Sequence, residues 1–398
     1  MFAQRMQRVS ESATMKVAAE AERLRRAGHK VVDFSVGEPD FNTPDHIKAA
    51  GKAAIDADFT RYTAVPGIPE LREAVCARYK TMYGIAITPA EVLMTAGGKQ
   101  ALFNAALALI DEGDEVITHA PYWPTIPEQV KAVGGKPVVV HTSWADGFAV
   151  HADQIIAAIT PKTKAIILNS PSNPTGALIS EATVAALADA AAQQGIWIII
   201  DLCYEQLIYE DVPHNLPKVL FDRHRDRTVL ACSGSKAYAM TGWRAGWTIA
   251  PAVVTKAFNT IQGQSTSNIS TITQKAMLAG LTGSHEPVQA MLQEFRQRRD
   301  NMHAWLTAHP GIKCVKPAGA FYLFPNVSDL LTPEVSTSLD FAAGLLEQEK
   351  VVVTPGEAFD APGYLRISYA TSMEQLREGA TRMLRYAEAI QPKASASR

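Results

Sequence analysis

The middle of the chain alternates short apolar runs with longer segments of helical periodicity. The apolar runs lie at 91–95, 114–118, 136–141, 164–168, 197–200 and 228–232. The helical segments lie at 45–57, 70–83, 101–110 and 182–194. Runs that are apolar at nearly every position are typical of strands in a parallel sheet whose two faces are both covered. This alternation predicts an α/β fold in which a mostly parallel sheet lies between helices.

The pattern changes near residue 286, and both chain ends are predicted to form a smaller α+β domain. A charged helix is predicted at 287–308, and an N-terminal helix and strand at 14–27 and 31–36. Segments that we interpret as antiparallel strands lie at 321–324, 351–354 and 364–369, before a helix at 372–388. The predicted division is an N-terminal arm with part of the small domain (1–44), a large domain (45–285) and a small C-terminal domain (286–398).

Composition and charge exclude several classes of protein. The chain has 398 residues, 47% hydrophobic and 20% charged, as in an ordinary soluble globular protein. A net charge of -2 favours neither nucleic acid nor an anionic membrane as a partner. No apolar run is long enough to span a membrane. The scattered cysteines argue against a disulfide framework or a metal site, so we expect a cytoplasmic protein without a metal.

A candidate reactive lysine follows the strand at 228–232. Ser233 and Ser235 flank a glycine, Lys236 comes next, and Arg244 follows in a Gly-Trp-Arg-Ala-Gly segment. A lysine held beside other cations in a dry pocket has a lowered pKa and can form a Schiff base with an aldehyde. The two hydroxyl groups and Arg244 would then bind a phosphate. The alternative, from this segment alone, is a lysine on a solvated loop.

Two glycine turns are candidate ligand contacts. The strand at 91–95 passes through Gly97 and Gly98 into a helix, and the free N–H groups at a helix N-terminus form an anion site. Gly37 follows the strand at 31–36, where a backbone N–H can meet a ligand. A plain turn is the alternative at Gly37.

Asp201 ends an apolar strand, where a carboxylate needs a cation. The ring nitrogen of pyridoxal 5′-phosphate is such a cation; a helix cap or a structural ion pair is the alternative. Tyr204 and Asn173 can donate hydrogen bonds to O3′ of that ring, and the bond between Asn173 and Pro174 is predicted to be cis. Trp123 can cover the ring face or fill the core.

Arg366 lies mid-strand in the segment 364–369. Alternation along a strand places Leu365 and Ile367 on one face, and Arg366 on the other with Tyr364 and Ser368. A guanidinium there can bind a carboxylate with two hydrogen bonds. A solvent-facing arginine is the alternative interpretation.

Eight segments in order carry a family resemblance. They begin at residues 35, 61, 97, 113, 169, 235, 317 and 364 and read SVGEPDFNTP, RYTAVPGIPELREA, GGKQALFNAAL, GDEVITHAPYW, NSPSNPTG, SKAYAMTGWRAGW, PAGAFYLF and YLRISYA. Together they resemble the class I aminotransferases of pyridoxal-phosphate fold type I, most closely the bacterial aspartate/prephenate aminotransferase subgroup. The resemblance implies a seven-stranded sheet, the cofactor pyridoxal 5′-phosphate and amino-acid and 2-oxo-acid substrates.

The resemblance also implies a role for each matching residue. Lys236 corresponds to the Schiff-base lysine and Asp201 to the partner of the pyridine nitrogen. Asn173 and Tyr204 correspond to the O3′ contacts, and Asn173 also touches the substrate. The residues that correspond to phosphate contacts are Gly97, Gly98, Ser233, Ser235 and Arg244. Those that correspond to the substrate α-carboxylate contacts are Arg366, Gly37 and Trp123.

Further positions bear on assembly and specificity. Tyr62 corresponds to a tyrosine that reaches the phosphate of the neighbouring subunit, which implies a homodimer with shared active sites. Lys99 corresponds to a lysine associated with the distal carboxylate of the substrate; a second phosphate neighbour or an exposed lysine is the alternative. Ser10 stands where relatives that use prephenate have a lysine, which argues against prephenate. Leu202 and Cys203 replace a usual Glu-Ile.

The predicted function is pyridoxal-phosphate-dependent transamination between an L-amino acid and a 2-oxo acid such as 2-oxoglutarate. The expected amino acid is aspartate, or another dicarboxylic or an aromatic one. The alternative is a β-lyase or amino-acid oxidase on the same fold. A regulator would need a DNA-binding domain before residue 31, and a nicotinamide enzyme would need a G-x-G-x-x-G turn after a strand; neither is found.

Overall fold

The computed structural model describes residues 2–11, 13–210 and 212–391, and of residues 13–18 only the backbone. The β-strands are β1 Val32–Asp33, β2 Val92–Thr95, β3 Glu115–Ala120, β4 Lys136–His141, β5 Thr163–Asn169, β6 Trp197–Asp201, β7 Thr228–Ser233, β8 Gly246–Ile249, β9 Tyr322–Leu323, β10 Val351–Val352, β11 Thr354–Pro355 and β12 Leu365–Ser368. The α-helices are α1 Ala13–Arg26, α2 Asp45–Asp56, α3 Pro69–Tyr83, α4 Gly98–Leu109, α5 Thr125–Ala132, α6 Ala152–Ala157, α7 Glu181–Gln194, α8 Leu216–His224, α9 Ala252–Ser265, α10 Thr271–Thr282, α11 Glu286–Thr307, α12 Ser338–Glu349 and α13 Met373–Ile390. No helix within these ranges has both the length and the apolar character that crossing a bilayer requires.

The seven-stranded central sheet confirms the predicted α/β fold. Its strand order is β2-β8-β7-β6-β5-β3-β4, and β8 runs antiparallel to both of its neighbours. Successive residues of β6 pack into different cores: Ile198 and Ile200 join one cluster of buried side chains, and Ile199 joins the other. Both faces of the sheet are therefore covered by apolar side chains, which explains why the strands are apolar throughout.

A smaller set of strands joins the two chain ends. β1 pairs with β10 in parallel, and β12 pairs antiparallel with β11 and with β9. Interpreting 351–354 as one antiparallel strand is therefore wrong, because the segment divides at Val353 between two sheets. Its apolar pattern indicates burial but contains no information on strand direction, which docking against β1 decides. Buried side chains from both chain ends, including Val32, Phe321 and Met383, share one core.

The sheet brings distant turns together at the carboxyl ends of its strands. Asn169, at the end of β5, is the register partner of Asp201 at the end of β6, and Asp201 is in turn paired with Ala231 on β7. The turn after β2 reaches the same edge because β2 is antiparallel to β8, which is itself antiparallel to β7, so β2 and β7 run in the same direction. Helix α4 begins at Gly98 rather than at the predicted residue 101, so Lys99 lies in its first turn.

Candidate active site

A cavity of about 590 Å³ lies at this edge of the sheet and collects most of the predicted site residues. The predicted residues that line it are Gly37, Gly98, Lys99, Trp123, Asn173, Asp201, Tyr204, Ser233, Ser235, Lys236, Arg244 and Arg366. Gly97 is the residue before α4 and lies against Arg244. Tyr62 does not line the cavity, and 90% of its surface is exposed.

Lys236 reaches across the cavity from the end of β7 to the turn after β1. Its Nζ donates to the carbonyl oxygen of Gly37 at 2.6 Å. Burial lowers the pKa of the Lys236 amine, and the charges of Arg366 and Arg244 lower it further. A lowered pKa increases the fraction of neutral amine, which is the form that attacks an aldehyde. A lysine on a solvated loop does not fit this geometry.

Asp201 is a buried acid without an ion-pair partner among the described residues. Its side chain is 3% exposed, and burial raises the pKa of the carboxyl group to about 6. The backbone N–H of Cys203 donates to Oδ1 at 2.9 Å, and no lysine or arginine nitrogen in the described part of the chain lies within 4.0 Å of the carboxylate. A carboxylate held in this way is suited to a cationic ligand in the cavity.

Hydrogen-bond donors and glycines shape an anion cradle at the N-terminus of α4. Gly97 has φ of +82°, and a Cβ atom built there would lie 2.7 Å from Nη2 of Arg244. That nitrogen donates to the carbonyl of Ala96 at 3.1 Å, and the Oγ atoms of Ser233 and Ser235 lie 2.8 Å apart. The positive helix end, the guanidinium and the two hydroxyl groups together suit a phosphate.

Arg366 is buried in the cavity wall beside Asn173. Its side chain donates to Oδ1 of Asn173 at 3.1 Å and to the carbonyl of Ser35 at 2.7 Å, while Nε has no partner among the described residues. The guanidinium carbon lies 4.6 Å from the centre of the Tyr322 ring. Arg366 is 3% exposed, so the solvent-facing interpretation is wrong. A buried guanidinium without a carboxylate partner is a site for the carboxylate of a ligand.

The chain matches the family model "Aminotransferase class I and II" over residues 29–383. It belongs to the class I and II aminotransferases. It is 44% identical over 384 residues to an aspartate/prephenate aminotransferase of Cereibacter sphaeroides, an alignment that covers 94% of this chain and 96% of the relative. It is 41% identical over 389 residues to an aspartate aminotransferase of Geobacillus stearothermophilus, with 98% and 99% covered.

Among solved structures, the chain resembles the aspartate aminotransferase of Thermus thermophilus with maleate. The TM-score is 0.92 at 41% identity, and the comparison covers 97% of this chain and 99% of that one. The similarity spans the whole fold. The chain is therefore a pyridoxal-phosphate-dependent aminotransferase, and the family resemblance found in the sequence is confirmed.

The residues of this aminotransferase fit the cofactor. The glycine turn at Gly97 leaves space that a side chain would fill, and the neighbouring donors suit a phosphate group. The unpaired carboxylate of Asp201 suits a protonated ring nitrogen. Lys236 lines the same cavity as Asp201 and the donors of the proposed phosphate site. The peptide bond between Asn173 and Pro174 is cis, as predicted.

Lys99 is a further cation in the cavity of the aminotransferase and, like Arg366, Arg244 and Lys236, has no carboxylate partner among the described residues. Its Nζ lies 5.1 Å from the centre of the Trp123 ring. Burial lowers the pKa of Lys99, and the charge of Arg244 contributes to the same effect. An ammonium held over an aromatic face and near another cation is attracted to a ligand that brings negative charge.

Sequence reasoning missed the residues that hold the predicted ones in place. Asn169 accepts from the backbone N–H of Asn173 at 2.8 Å and donates to the carbonyl of Asp201 at 3.3 Å. The hydroxyl groups of Tyr322 and Tyr204 lie 2.8 Å apart. Asn169 and Tyr322 both occur in the segments that carry the family resemblance, and that was their only signal. Their partners are distant in sequence and become visible only in the fold.

Proposed function

We propose that this aminotransferase takes the amino group from a dicarboxylic amino acid, aspartate before others, and passes it to a 2-oxo acid such as 2-oxoglutarate. Four cations on the cavity wall lack a carboxylate partner in the described chain: Lys236, Arg244, Arg366 and Lys99. Lys236 and Arg244 are assigned to the cofactor, and the observation that carries the proposal is that Arg366 and Lys99 remain for the substrate. Two carboxylates of one substrate would satisfy both. The relatives from Cereibacter sphaeroides and Geobacillus stearothermophilus both have aspartate in their names, which supports the same choice of substrate.

Each part of the cofactor has proposed contacts in this chain. The phosphate is bound by the turn at Gly97 and Gly98, by Ser233 and Ser235, and by Arg244. Asp201 keeps the ring nitrogen protonated, Asn173 and Tyr204 contact O3′, and Trp123 covers the ring face. When bound, pyridoxal phosphate supplies an electron sink that stabilises negative charge at the substrate Cα.

The protein groups orient the substrate and move its proton. Arg366 binds the α-carboxylate, with the Gly37 backbone and Asn173 beside it, and Lys99 binds the distal carboxylate. Burial lowers the pKa of Lys236. Its Nζ would take the proton from the substrate Cα and deliver it to C4′ of the cofactor. Burial of the site keeps water away from these charges and strengthens their interactions.

The assembly is proposed to be a homodimer in which Tyr62 contacts the phosphate in the neighbouring active site. Its 90% exposure within one chain supports this role, because a large aromatic side chain so exposed is available to a partner. Sedimentation of the holoenzyme tests the dimer, and Tyr62→Phe tests the contact through the affinity for pyridoxal phosphate. The domain division at 44 and 285 and the cytoplasmic location stay predictions; residues 392–398 of the last domain lie outside the described ranges.

A single-turnover experiment tests the reaction. Holoenzyme mixed with aspartate should convert bound pyridoxal phosphate to pyridoxamine phosphate and release oxaloacetate, and added 2-oxoglutarate should reverse the spectral change. Release of ammonia without pyridoxamine phosphate would instead indicate a β-lyase or an oxidase. A panel of amino donors then ranks aspartate against aromatic and neutral amino acids. Prephenate is predicted to be a poor acceptor because Ser10 replaces a lysine.

Lys236→Ala provides the matched test of the reactive lysine. The variant should bind the cofactor without the visible absorption band of the wild-type holoenzyme and should lose transamination. Lys131→Ala, which changes a lysine on α5 that pairs with Glu128 outside the cavity, is the control. An unchanged band in Lys236→Ala would overturn the assignment.

A further inference from the structure

A second cavity lies on the outside of the large domain, between the C-terminal half of α3, the end of α10 and the start of α11. Its volume is about 610 Å³, and it shares no lining residue with the active-site cavity. Arg78, Gln206, Thr282, His285 and Gln289 are among the residues that line it. We call it the Arg78 cavity.

Arg78 is buried in the wall of this cavity with unused hydrogen-bonding capacity. Its side chain is 8% exposed, and its Nη1 donates to Nε2 of His285 at 3.0 Å. Its Nε has no hydrogen-bond partner, and no carboxylate oxygen of the described residues lies within 4.0 Å of the guanidinium. Guanidinium groups are always charged, so a buried one without a carboxylate is costly unless a ligand supplies the negative charge.

Two other buried arginines of this protein have carboxylate partners. Arg298 and Arg299 are 6% and 3% exposed, and each has two carboxylate partners at 2.7–3.0 Å. Arg366 and Arg78 are the two that lack one in the described chain, and both also have an unpartnered Nε. Arg366 is the proposed contact of the substrate α-carboxylate. Arg78 therefore has the same combination of burial and missing partner in a separate cavity.

Glu205 feels the charge of Arg78 but does not form an ion pair with it. Glu205 is 8% exposed, and its carboxylate accepts hydrogen bonds from the hydroxyl groups of Tyr83 at 2.8 Å and Tyr79 at 3.1 Å. Arg78 lowers the pKa of Glu205 through its charge, although burial raises it overall. This interaction acts beyond ion-pair distance, and Glu205 is not among the cavity-lining residues. Nε of Arg78, a residue of the cavity wall, therefore keeps no acceptor among the described residues.

The start of α11 adds to the positive potential. His285 is the residue before this 22-residue helix, and the contribution of the helix is the positive end of its dipole, because the N–H groups of Glu286 and Val288 already bond to Ser284 and His285. Burial and the charge of Arg78 lower the pKa of His285, so its ring is neutral and accepts from Arg78 at neutral pH. Glu286, in the first turn of α11, bonds to Ser284 and does not line the cavity.

We propose that the Arg78 cavity binds a small oxyanion, either a carboxylate or a phosphate, on the guanidinium of Arg78. Gln206, Thr282 and Gln289 supply further polar atoms at its wall. Gln206 of this wall belongs to the same short segment as Asp201 and Tyr204, which line the active-site cavity. The two cavities share no lining residue, so this oxyanion site is separate from the substrate site.

Calorimetric titration of Lys99→Met/Arg366→Met holoenzyme with sulfate, at constant ionic strength maintained with chloride, tests the proposal. This background removes the two active-site cations that would bind sulfate themselves, and the variants below are added to it. Saturable binding of one sulfate per chain is expected, and Arg78→Met should weaken it at least about tenfold, as loss of a charge-assisted hydrogen bond does. Lys80→Met, which removes an exposed charge from the same helix, should leave it unchanged. Sulfate that binds equally well to Arg78→Met, or does not saturate, overturns the proposal.

A second variant keeps the test decisive should Arg78→Met fail to fold. Gln289 is exposed on α11, so Gln289→Glu does not threaten the core and brings a carboxylate into the cavity. It should weaken sulfate binding at least about tenfold by occupying the guanidinium. Unaltered sulfate affinity in Gln289→Glu would contradict the proposal. Acetate that displaces sulfate identifies the site as one for carboxylates, and phosphate alone displacing sulfate identifies it as one for phosphates.

Discussion

Replacing Asp201 by asparagine should stabilise the cofactor-free protein, although it removes the proposed partner of the cofactor ring nitrogen. The side chain is 3% exposed, and burial raises the pKa of its carboxyl group from 3.8 to about 6. The Cys203 N–H donates to its Oδ1 at 2.9 Å, a bond that the oxygen of an asparagine side chain also accepts. The substitution therefore removes a buried charge and keeps both the volume and the hydrogen bond.

The magnitude follows from the two pKa values of Asp201. Between pH 3.8 and about 6 the folded protein holds a proton that the unfolded chain has released, so the free energy of unfolding falls as the pH rises. One pKa unit corresponds to about 1.4 kcal/mol, and the shift therefore destabilises the folded protein by about 3 kcal/mol above pH 6. Below the pKa of the unfolded chain both states are protonated, and the cost disappears.

Urea unfolding of the cofactor-free wild type and of Asp201→Asn, at pH 8 and at pH 5, measures this difference. The variant should be more stable by about 3 kcal/mol at pH 8 and by about half of that at pH 5. Asp153→Asn, at an exposed aspartate, is the control and should change neither value. Pyridoxal phosphate should then stabilise the wild type more than the variant.

Two results would refute the reasoning about Asp201. The first is an Asp201→Asn protein that is no more stable than the wild type at pH 8. The second is an advantage of the same size at both pH values, since that would point to a change in packing rather than to the removal of a charge.

The remaining predictions concern the substrate and the cofactor. Lys99→Met should lower kcat/KM for aspartate at least about tenfold and leave alanine nearly unchanged, because only aspartate has a distal carboxylate; equal losses would contradict the assignment. Arg366→Lys should lower kcat/KM at least about a hundredfold for both amino acids, since lysine cannot form the two-bond contact; a loss confined to aspartate would argue against it. Gly97→Ala places a Cβ 2.7 Å from Nη2 of Arg244 at a φ of +82° and should weaken cofactor binding at least about tenfold. Gly98→Ala is its control, because the added Cβ comes no closer than 3.5 Å to a neighbour. Equal affinities of the two variants for pyridoxal phosphate in a fluorescence titration would refute the proposed phosphate site at Gly97.

Local pattern was sufficient to predict the main elements. Residues of β6 are apolar in succession because the two faces of the sheet are both buried, and this signal is present in the sequence itself. Asp201 ends such a strand, and Lys236 lies in the turn that follows one; this is why both could be recognised. The carboxyl ends of parallel strands meet at one edge, so the order of strands and turns is enough to predict that the two residues share a site.

The partners of these residues could not be predicted in the same way. The contact of Lys236 with the carbonyl of Gly37 joins residues 199 positions apart, and the Nη2 of Arg366 reaches Ser35 across 331 positions. Such contacts depend on how β1 and the chain end dock together. The same docking divides the segment 351–354 between a parallel and an antiparallel pair.

The sequence alone determined which segments are buried on one face or on both, and which charged residues stand at their ends, because periodicity and residue type are local properties. Only the tertiary structure decided which charges find a partner. Arg298 and Arg366 look alike as residues, yet one meets two carboxylates and the other meets none among the described residues. Whether a buried charge is already satisfied depends on groups brought together by folding, and that is what separates a structural ion pair from a place for a ligand.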